Sequence, residues 1–225
     1  MDEQILYHGS PVIIRKPEID KGKPYNDFGK GFYCTRQKEL AKEWACPERQ
    51  DGFCNKYFLR MPELQVLDLR DRRWTILHWL ALLLEFRVFR LSSALMKEAA
   101  DFLKKEYLPE IKDADVIIGY RADDSYFSFA RDFISNSISL RQLSEAMHLG
   151  DLGEQVVLKS AKAFEQIRFA GYAMVNHEVY YPLRMERDRK ARETYREIRN
   201  RSDRDGIYML DLLRGDVKND DPRIQ

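Results

Sequence analysis

Apolar residues occur in short runs near both ends of the chain, and this pattern predicts strands there. Residues 5–7 predict a first strand that ends at His8, and a turn-rich segment follows between Pro11 and Pro24. Further runs of strand type occupy residues 57–59, 66–69, 116–119, 156–158, 167–169 and 173–181. The strands of the predicted core therefore come from both the beginning and the end of the sequence.

The middle of the chain shows helical spacing of its apolar residues instead. Residues 36–45 predict a short helix closed by Pro47. A strongly apolar helix is predicted over 74–89, and an amphipathic helix over 94–108. Shorter helices are predicted over residues 125–134, 139–147 and 161–164. The region of about 72–148 is thus a mainly helical insertion between strands.

Composition changes after Pro182. Residues 184–204 carry nine Lys or Arg residues interleaved with acidic ones at helical spacing, which predicts a solvated helix. A contact with nucleic acid or a partner protein is the alternative for this basic segment. The apolar residues 207–213 are expected to dock back on the body. We therefore predict a domain over 1–183 and a charged helical C-terminal extension over 184–225.

Overall composition excludes several classes of protein. The 225 residues include 38 Lys or Arg against 37 Asp or Glu, which argues against a wholly basic nucleic-acid binder. A hydrophobic fraction of 44% excludes intrinsic disorder. The three cysteines cannot all pair, and no secretory signal is visible, so we expect a cytoplasmic protein. The most apolar stretch, 74–91, contains charged residues and is too polar to span a membrane.

Three short blocks combine residue types that suggest chemistry. The first is LYHGS, in which His8, Gly9 and Ser10 end the first strand. The second is FGKGFY over residues 28–33, and its Tyr33 is followed eleven residues later by Trp44 on a predicted helix. The third is GEQVVL over residues 153–158, a polar pair that opens a late strand.

In these blocks, taken in order, the chain resembles the ADP-ribosyltransferase fold in its diphtheria-toxin-like, poly(ADP-ribose)-polymerase-like branch. That branch has a site of His, Tyr and Glu or a substitute. Its first strand ends in His-Gly-Ser or His-Gly-Thr, and its FGKGIYF block is nearly reproduced by residues 28–34. Its second aromatic residue lies eleven positions after the block's tyrosine, as Trp44 does, and its Glu before an apolar strand is matched by Gln155.

The chain resembles still more closely a family of small bacterial proteins of unknown function. That family shares the LYHGS start, a DFGxGFYxT block, an apolar helix and a DxVIGxxADD segment, followed by a Gln before its last strands. This similarity covers roughly residues 3–182 and leaves out the charged tail.

The resemblance implies an α+β fold whose core is a split mixed or antiparallel β-sheet, with NAD as the substrate. It implies that His8 and Ser10 lie in the NAD site, with His8 bonded to the adenosine ribose. The backbone of Gly9 would pair with the nicotinamide amide, an approach that a residue without Cβ allows. Tyr33 and Trp44 would sandwich the nicotinamide ring. Gly31 belongs to the same NAD-binding block.

Gln155 is the departure from the family pattern. A Gln keeps the hydrogen bonds of the usual Glu but carries no negative charge and cannot act as a base. Single ADP-ribose transfer is therefore expected rather than chain elongation. Glu154 could take the role only with a shifted strand register, because neighbouring residues of a strand face opposite ways.

The function implied is mono-ADP-ribosylation of a macromolecular target, a protein or a nucleic acid, by dissociative cleavage of the nicotinamide glycosidic bond. Relatives of this kind resemble toxins of toxin–antitoxin modules, so a small antitoxin-like protein is the expected partner. A catalytically inactive module that binds NAD, ADP-ribose or a partner is the alternative, because Gln stands in place of Glu.

Each residue also has a plain structural interpretation. His8 alone would more often cap a strand, the glycines could serve simple turns, and Trp44 could be a core residue. Asp123 and Asp124 could form a metal pair, but no third ligand is evident, and a helix N-cap is the expected role. We therefore predict no metal site.

Overall fold

The computed structural model describes residues 3–122, 126–149, 153–217 and 221–224. Asp123 and Asp124, with their predicted N-cap, lie outside the described residues. The strands are β1 (Glu3–Ser10), β2 (Phe32–Cys34), β3 (Gly52–Arg60), β4 (Val66–Asp68), β5 (Val116–Tyr120), β6 (Glu154–Leu158) and β7 (Ile167–Val175). The helices are α1 (Lys38–Ala45), α2 (Ile76–Phe86), α3 (Ala94–Tyr107), α4 (Tyr126–Ile134), α5 (Leu140–Met147), α6 (Ala161–Glu165), α7 (His177–Asn200) and α8 (Met209–Leu213). Short 3-10 turns occur at Ile19–Lys21 and Pro222–Ile224.

The chain divides into two compact units, and the first contains the sheets. It consists of Met1–Arg70, Glu110–Arg121 and Gly153–Arg187. One sheet is antiparallel with strand order β1-β3-β7. The other is mixed with order β2-β6-β5-β4, in which only the β4–β5 pair is parallel. The predicted α+β class is thus confirmed, with strands drawn from both ends of the chain.

The two sheets meet where β1 runs beside the end of β2. Tyr7 and Thr35 exchange both backbone hydrogen bonds, at 2.8 and 2.9 Å, in an isolated antiparallel bridge. Inward-facing side chains of both sheets then form one apolar cluster. Its buried members are Leu6, Phe32, Cys34, Tyr57, Leu59, Val116, Ile118, Val156, Leu158 and Ala163. This pairing brings the ends of β1, β2 and β6 into one region of the unit.

Helix α1 packs closely against the β1–β3 sheet because two glycines leave room for it. A Cβ on Gly9 would lie 1.9 Å from the carbonyl oxygen of Ala41, and a Cβ on Gly52 would lie 2.1 Å from that of Ala45. Beneath the helix, Cys46 and Cys54 are buried as free thiols, and Cys34 is a free thiol in the apolar cluster. Gly9 therefore has a packing reason for lacking a side chain.

The second unit is mainly helical. It consists of Asp71–Pro109, Ala122–Leu152 and Asp188–Gln225. Thr75, Ser93 and Ser139 cap the N-termini of α2, α3 and α5 with their hydroxyl groups, as their residue types favour. The chain after α7 docks on the start of α5, where Leu140 donates its N–H to the Ile207 carbonyl at 2.7 Å.

The predicted strand over 173–181 is wrong beyond Val175. Strand β7 continues unbroken from Ile167 to Val175, and helix α7 begins at His177. The side chain of Asp51 accepts the His177 N–H at 2.9 Å, which supplies a partner for the free first turn of the helix. Pro182 lies inside this helix, and the predicted boundary at residue 183 falls within it too.

In the described part of the chain no helix is both long and apolar enough to cross a membrane. Across the same residues, no group of three or more His, Cys, Asp or Glu side chains is arranged to hold a metal ion.

Candidate functional site

His8 is held at the end of β1 by two contacts with β2. Its ring nitrogen Nδ1 lies 2.6 Å from the carbonyl oxygen of Tyr33, and its ring stacks on Phe32 with centroids 4.5 Å apart. Because a carbonyl can only accept, Nδ1 carries the proton in this hydrogen bond. Burial lowers the pKa of His8, which favours the neutral ring. In that tautomer Nε2 is a hydrogen-bond acceptor.

Tyr33 closes the glycine block that precedes it. Its hydroxyl donates to the carbonyl of Gly29 at 2.6 Å and accepts the N–H of Phe28 at 3.0 Å. Gly29 has a φ of 72°, in the left-handed region that glycine enters freely. Gly31 has no room for a side chain, since a Cβ would lie 2.7 Å from Cγ1 of Val157.

Lys159, directly after β6, binds the backbone of the same glycine block. Its ammonium group donates to the carbonyls of Phe28 and Lys30, each at 2.5 Å. Burial lowers the pKa of Lys159 to about 8. The role of this residue was not predicted. The sequence showed only a lysine directly after the apolar run 156–158.

The strand register assigns Gln155 and Glu154 to opposite faces of the sheet. Tyr33 on β2 is paired with Val157 on β6, so these two side chains share a face. Gln155 lies two residues before Val157 and faces the same way as Tyr33. Glu154 faces the other side.

Gln155 is buried, with 4% of its surface exposed, and its amide nitrogen has two acceptors. Nε2 donates to Oδ2 of Asp27 at 2.7 Å and to the carbonyl oxygen of Tyr120 at 3.4 Å. Its neighbour across the sheet is Gly119, where a Cβ would lie 2.8 Å from the Phe28 ring. The missing side chain of Gly119 therefore lets the Asp27–Phe28 segment cover this face.

Glu154 takes part in a half-exposed ion-pair cluster. Its two carboxylate oxygens accept from Arg36 at 2.9 Å and from Arg70 at 2.5 Å. Arg70 also pairs with Asp68, and this contact is the main reason that the pKa of Asp68 is lowered. Both oxygens of Glu154 are thus engaged by arginines on the face away from Gln155.

Ser10 is part of a buried network centred on Asn55. The Ser10 hydroxyl donates to the carbonyl of Val12, and Nδ2 of Asn55 donates to the Ser10 oxygen at 3.2 Å. Oδ1 of Asn55 accepts the N–H of Ile14 at 3.0 Å, so this side chain fixes the segment that follows β1. Asn55 was not predicted either; the sequence showed only an asparagine within the run FCNKYFL, and its full burial is a finding of the structure.

Trp44 is half-buried on α1, and the guanidinium group of Arg121 stacks over its ring. The guanidinium carbon of Arg121 lies 3.9 Å from the centroid of the Trp44 ring. The backbone N–H of Arg121 donates to the carbonyl of Gly153 at 3.4 Å, next to the start of β6. Arg121 therefore joins the aromatic residue predicted for stacking to the strand that carries Gln155.

Among the sequence-predicted residues, hydrogen bonds link His8 to Tyr33, Tyr33 to the glycine block, and the segment before that block to Gln155. Asp27, which completes this chain, was not predicted. In the sequence, Asp27 directly precedes the glycine block, but nothing there indicated that its partner is Gln155, 128 residues away.

Comparison with known proteins identifies a family for this chain. Residues 4–169 match the model of a protein family of unknown function, DUF3990, so the chain belongs to that family. No curated protein and no solved structure matches the chain significantly.

Proposed function

We propose that this member of the DUF3990 family is an NAD-dependent ADP-ribosyltransferase of the diphtheria-toxin-like branch. It would transfer a single ADP-ribose unit to a protein or nucleic acid. The support comes from an antiparallel and a mixed sheet joined by a bridge, and from three sequence blocks that resemble the branch. A split sheet of this kind is what the resemblance implies for the core.

One observation carries the proposal. His8, the glycine block with Tyr33, and Gln155 come from different parts of the chain. Hydrogen bonds join His8 to Tyr33, Tyr33 to the glycine block, and Gln155 to Asp27, which directly precedes that block. The side chains of Tyr33 and Gln155 share one face of the mixed sheet, whereas the His8 ring stacks on Phe32, whose side chain is on the other face. The three blocks therefore meet where the ends of β1, β2 and β6 lie together.

In the proposed reaction, each residue has a distinct task. Nε2 of His8 accepts a hydrogen bond from the adenosine ribose, in line with the tautomer set by Tyr33. The Gly9 backbone binds the nicotinamide amide, and Tyr33 and Trp44 hold its ring. Stacking of this type contributes about 0.5–1.5 kcal/mol per aromatic pair beyond area burial. Gln155 accepts from the hydroxyl of the nicotinamide ribose.

The bond between the ribose C1′ and the nicotinamide nitrogen breaks, and nicotinamide leaves with the electron pair. A nucleophile on the target, or water in its absence, bonds to C1′ of the resulting oxocarbenium ion and releases its proton to solvent. Gln155 cannot serve as a base for this proton, which favours a single transfer over elongation.

A non-catalytic module that binds NAD, ADP-ribose or a partner is the second candidate. It is favoured by the position of Glu154, the carboxylate adjacent to Gln155. Arg36 and Arg70 engage both of its oxygens, on the face opposite Tyr33. A protein without a carboxylate directed at the ribose would bind NAD and leave it intact.

Release of nicotinamide from NAD by the purified protein separates these functions. Turnover that is lost in His8→Ala supports the transferase, and binding without turnover supports the module. Absence of both NAD binding and turnover would contradict the transferase and a module that binds NAD. Mass spectrometry of a cell lysate incubated with isotopically labelled NAD would then identify the modified target. Copurification of a small protein would reveal an antitoxin-like partner.

A further inference from the structure

We propose that Asp27 is a positioning residue that orients the amide of Gln155 and supplies the negative charge that a glutamine lacks. This inference rests on the proposed function and adds a residue to its site. Asp27 and Gln155 would act together as a substitute for a single carboxylate. The amide oxygen of Gln155 would be directed at the ligand, and the carboxylate of Asp27 would bind the amide nitrogen on the side away from it.

The orientation of the amide follows from its partners. Both neighbours of Nε2, the carboxylate of Asp27 and the carbonyl of Tyr120, are acceptors, so the NH₂ group must point toward them. Oε1 then lies on the opposite side of the amide. No described residue donates a hydrogen bond to Oε1. The atom able to accept from a ribose hydroxyl is therefore the one to which none of the described residues donates.

Burial strengthens the contact between the Asp27 carboxylate and the Gln155 amide. Asp27 is 4% exposed and Gln155 is also 4% exposed, so the hydrogen bond between them is largely shielded from water. A hydrogen bond to an ionised acceptor is stronger than a neutral one, and in a low-dielectric setting it polarises the donor. An amide that donates to a carboxylate carries more electron density on its oxygen. Oε1 of Gln155 is thus a better partner for a developing cation than an amide oxygen in water.

Asp27 is fixed by the residue that follows it. The Phe28 ring is fully buried at the space left by Gly119, and its N–H is held by the Tyr33 hydroxyl at 3.0 Å. Lys159 binds the Phe28 carbonyl at 2.5 Å. The carboxylate is therefore presented from an anchored segment, as a group that must act by orientation requires.

Exchange of the two side chains tests this pair. Asp27→Asn keeps an oxygen that can accept from Gln155 but removes the charge, so we expect kcat for NAD hydrolysis to fall 10- to 100-fold while KM changes less than threefold. In the double variant Asp27→Asn/Gln155→Glu the amide and the carboxylate trade places, and the charge returns. We expect this variant to recover at least a third of the wild-type kcat. Asp51→Asn is the matched control and should leave kcat unchanged.

Gln155→Glu alone gives a second readout that needs no substrate. It would bring two carboxyl groups within hydrogen-bond distance, and their repulsion should raise one pKa. A carboxyl whose pKa is raised in the folded state stabilises the fold below that pKa and loses this contribution as pH rises through it. The melting temperature of Gln155→Glu should therefore fall relative to wild type between pH 5 and 8, and Asp27→Asn should remove this fall.

The outcomes are distinct. Loss of kcat in Asp27→Asn with recovery in the exchanged pair supports the inference. Wild-type turnover that is unchanged in Asp27→Asn would overturn it and leave the proposed function standing. A parallel loss of melting temperature, NAD binding and turnover without recovery would show a merely structural role and overturn it too. A wild-type protein that does not cleave NAD would overturn the proposed function, and this inference with it.

Discussion

Nδ1 of His8 lies 2.6 Å from the carbonyl oxygen of Tyr33, and this one hydrogen bond joins the first two blocks of the proposed site. It fixes the ring of His8 and leaves Nε2 as the acceptor. The histidine thus has a structural role and a proposed ligand role on different atoms, and substitutions can separate them.

His8→Asn is expected to keep the fold and lose NAD binding. The Asn side-chain nitrogen can replace Nδ1 as donor to Tyr33, but no atom replaces Nε2. Saturation with NAD at a hundred times Kd should stabilise the wild type by about 2.7 kcal/mol, and this thermal shift should vanish in the variant. Equal thermal shifts in both proteins would remove His8 from the site.

The depressed pKa of His8 predicts a pH dependence of stability. The ordinary value is 6.5, and burial lowers the pKa in the folded state. As pH falls below about 6.5, the unfolded chain binds a proton that the folded chain does not, so the free energy of unfolding decreases. Urea unfolding between pH 7.5 and 5 should show a steeper decrease for wild type than for His8→Asn. Parallel curves would show that His8 is readily protonated in the fold.

Trp44→Ala should lose the thermal shift with NAD, and Trp44→Phe should retain most of it, because stacking depends on the ring face. The same substitutions test the contact with Arg121. A double-mutant cycle of Trp44→Ala and Arg121→Ala, followed by urea unfolding, should give a coupling energy of about 0.5–1 kcal/mol. If both Trp44 variants bind NAD like wild type, its role is confined to packing.

Gly9→Ala is expected to destabilise the protein by about 3 kcal/mol or more, because the new Cβ would meet the backbone of α1 at 1.9 Å. Gly215→Ala is the matched control. It adds the same methyl group where no atom of the described residues beyond its chain neighbours lies within 4 Å, although its φ of 74° should cost about 1 kcal/mol. Similar unfolding midpoints for the two variants would contradict the close approach of α1.

Truncation after residue 183 should unfold the second unit instead of releasing a separate tail. It would cut α7 and remove the buried side chains of Tyr195, Ile198, Met209 and Leu212, each of which contributes about 1.5–3 kcal/mol. Hydrogen exchange should show loss of protection across α4 and α5. Persistent protection there would show that 184–225 is an independent extension, as its composition suggested.

Local patterns predicted most of the elements, because the signals for them are local. Spacing of apolar residues located α1, α2 and α3. The failure at 173–181 has a local cause as well. Val and Tyr residues favour strands. Helix α7 nevertheless begins at His177, whose backbone N–H donates to Asp51, a residue distant in sequence.

The sequence by itself determined the order of the three blocks, the α+β class and the choice of His8, Tyr33 and Gln155 as candidates. Only the tertiary structure decided which face Gln155 occupies and that Asp27 lies against it, because strand register and burial depend on pairing between segments 128 residues apart. It also decided that the backbone of α1 fills the space beside Gly9. A residue's type limits the chemistry it can perform, but its neighbours across the fold determine which of its atoms remain available for a ligand.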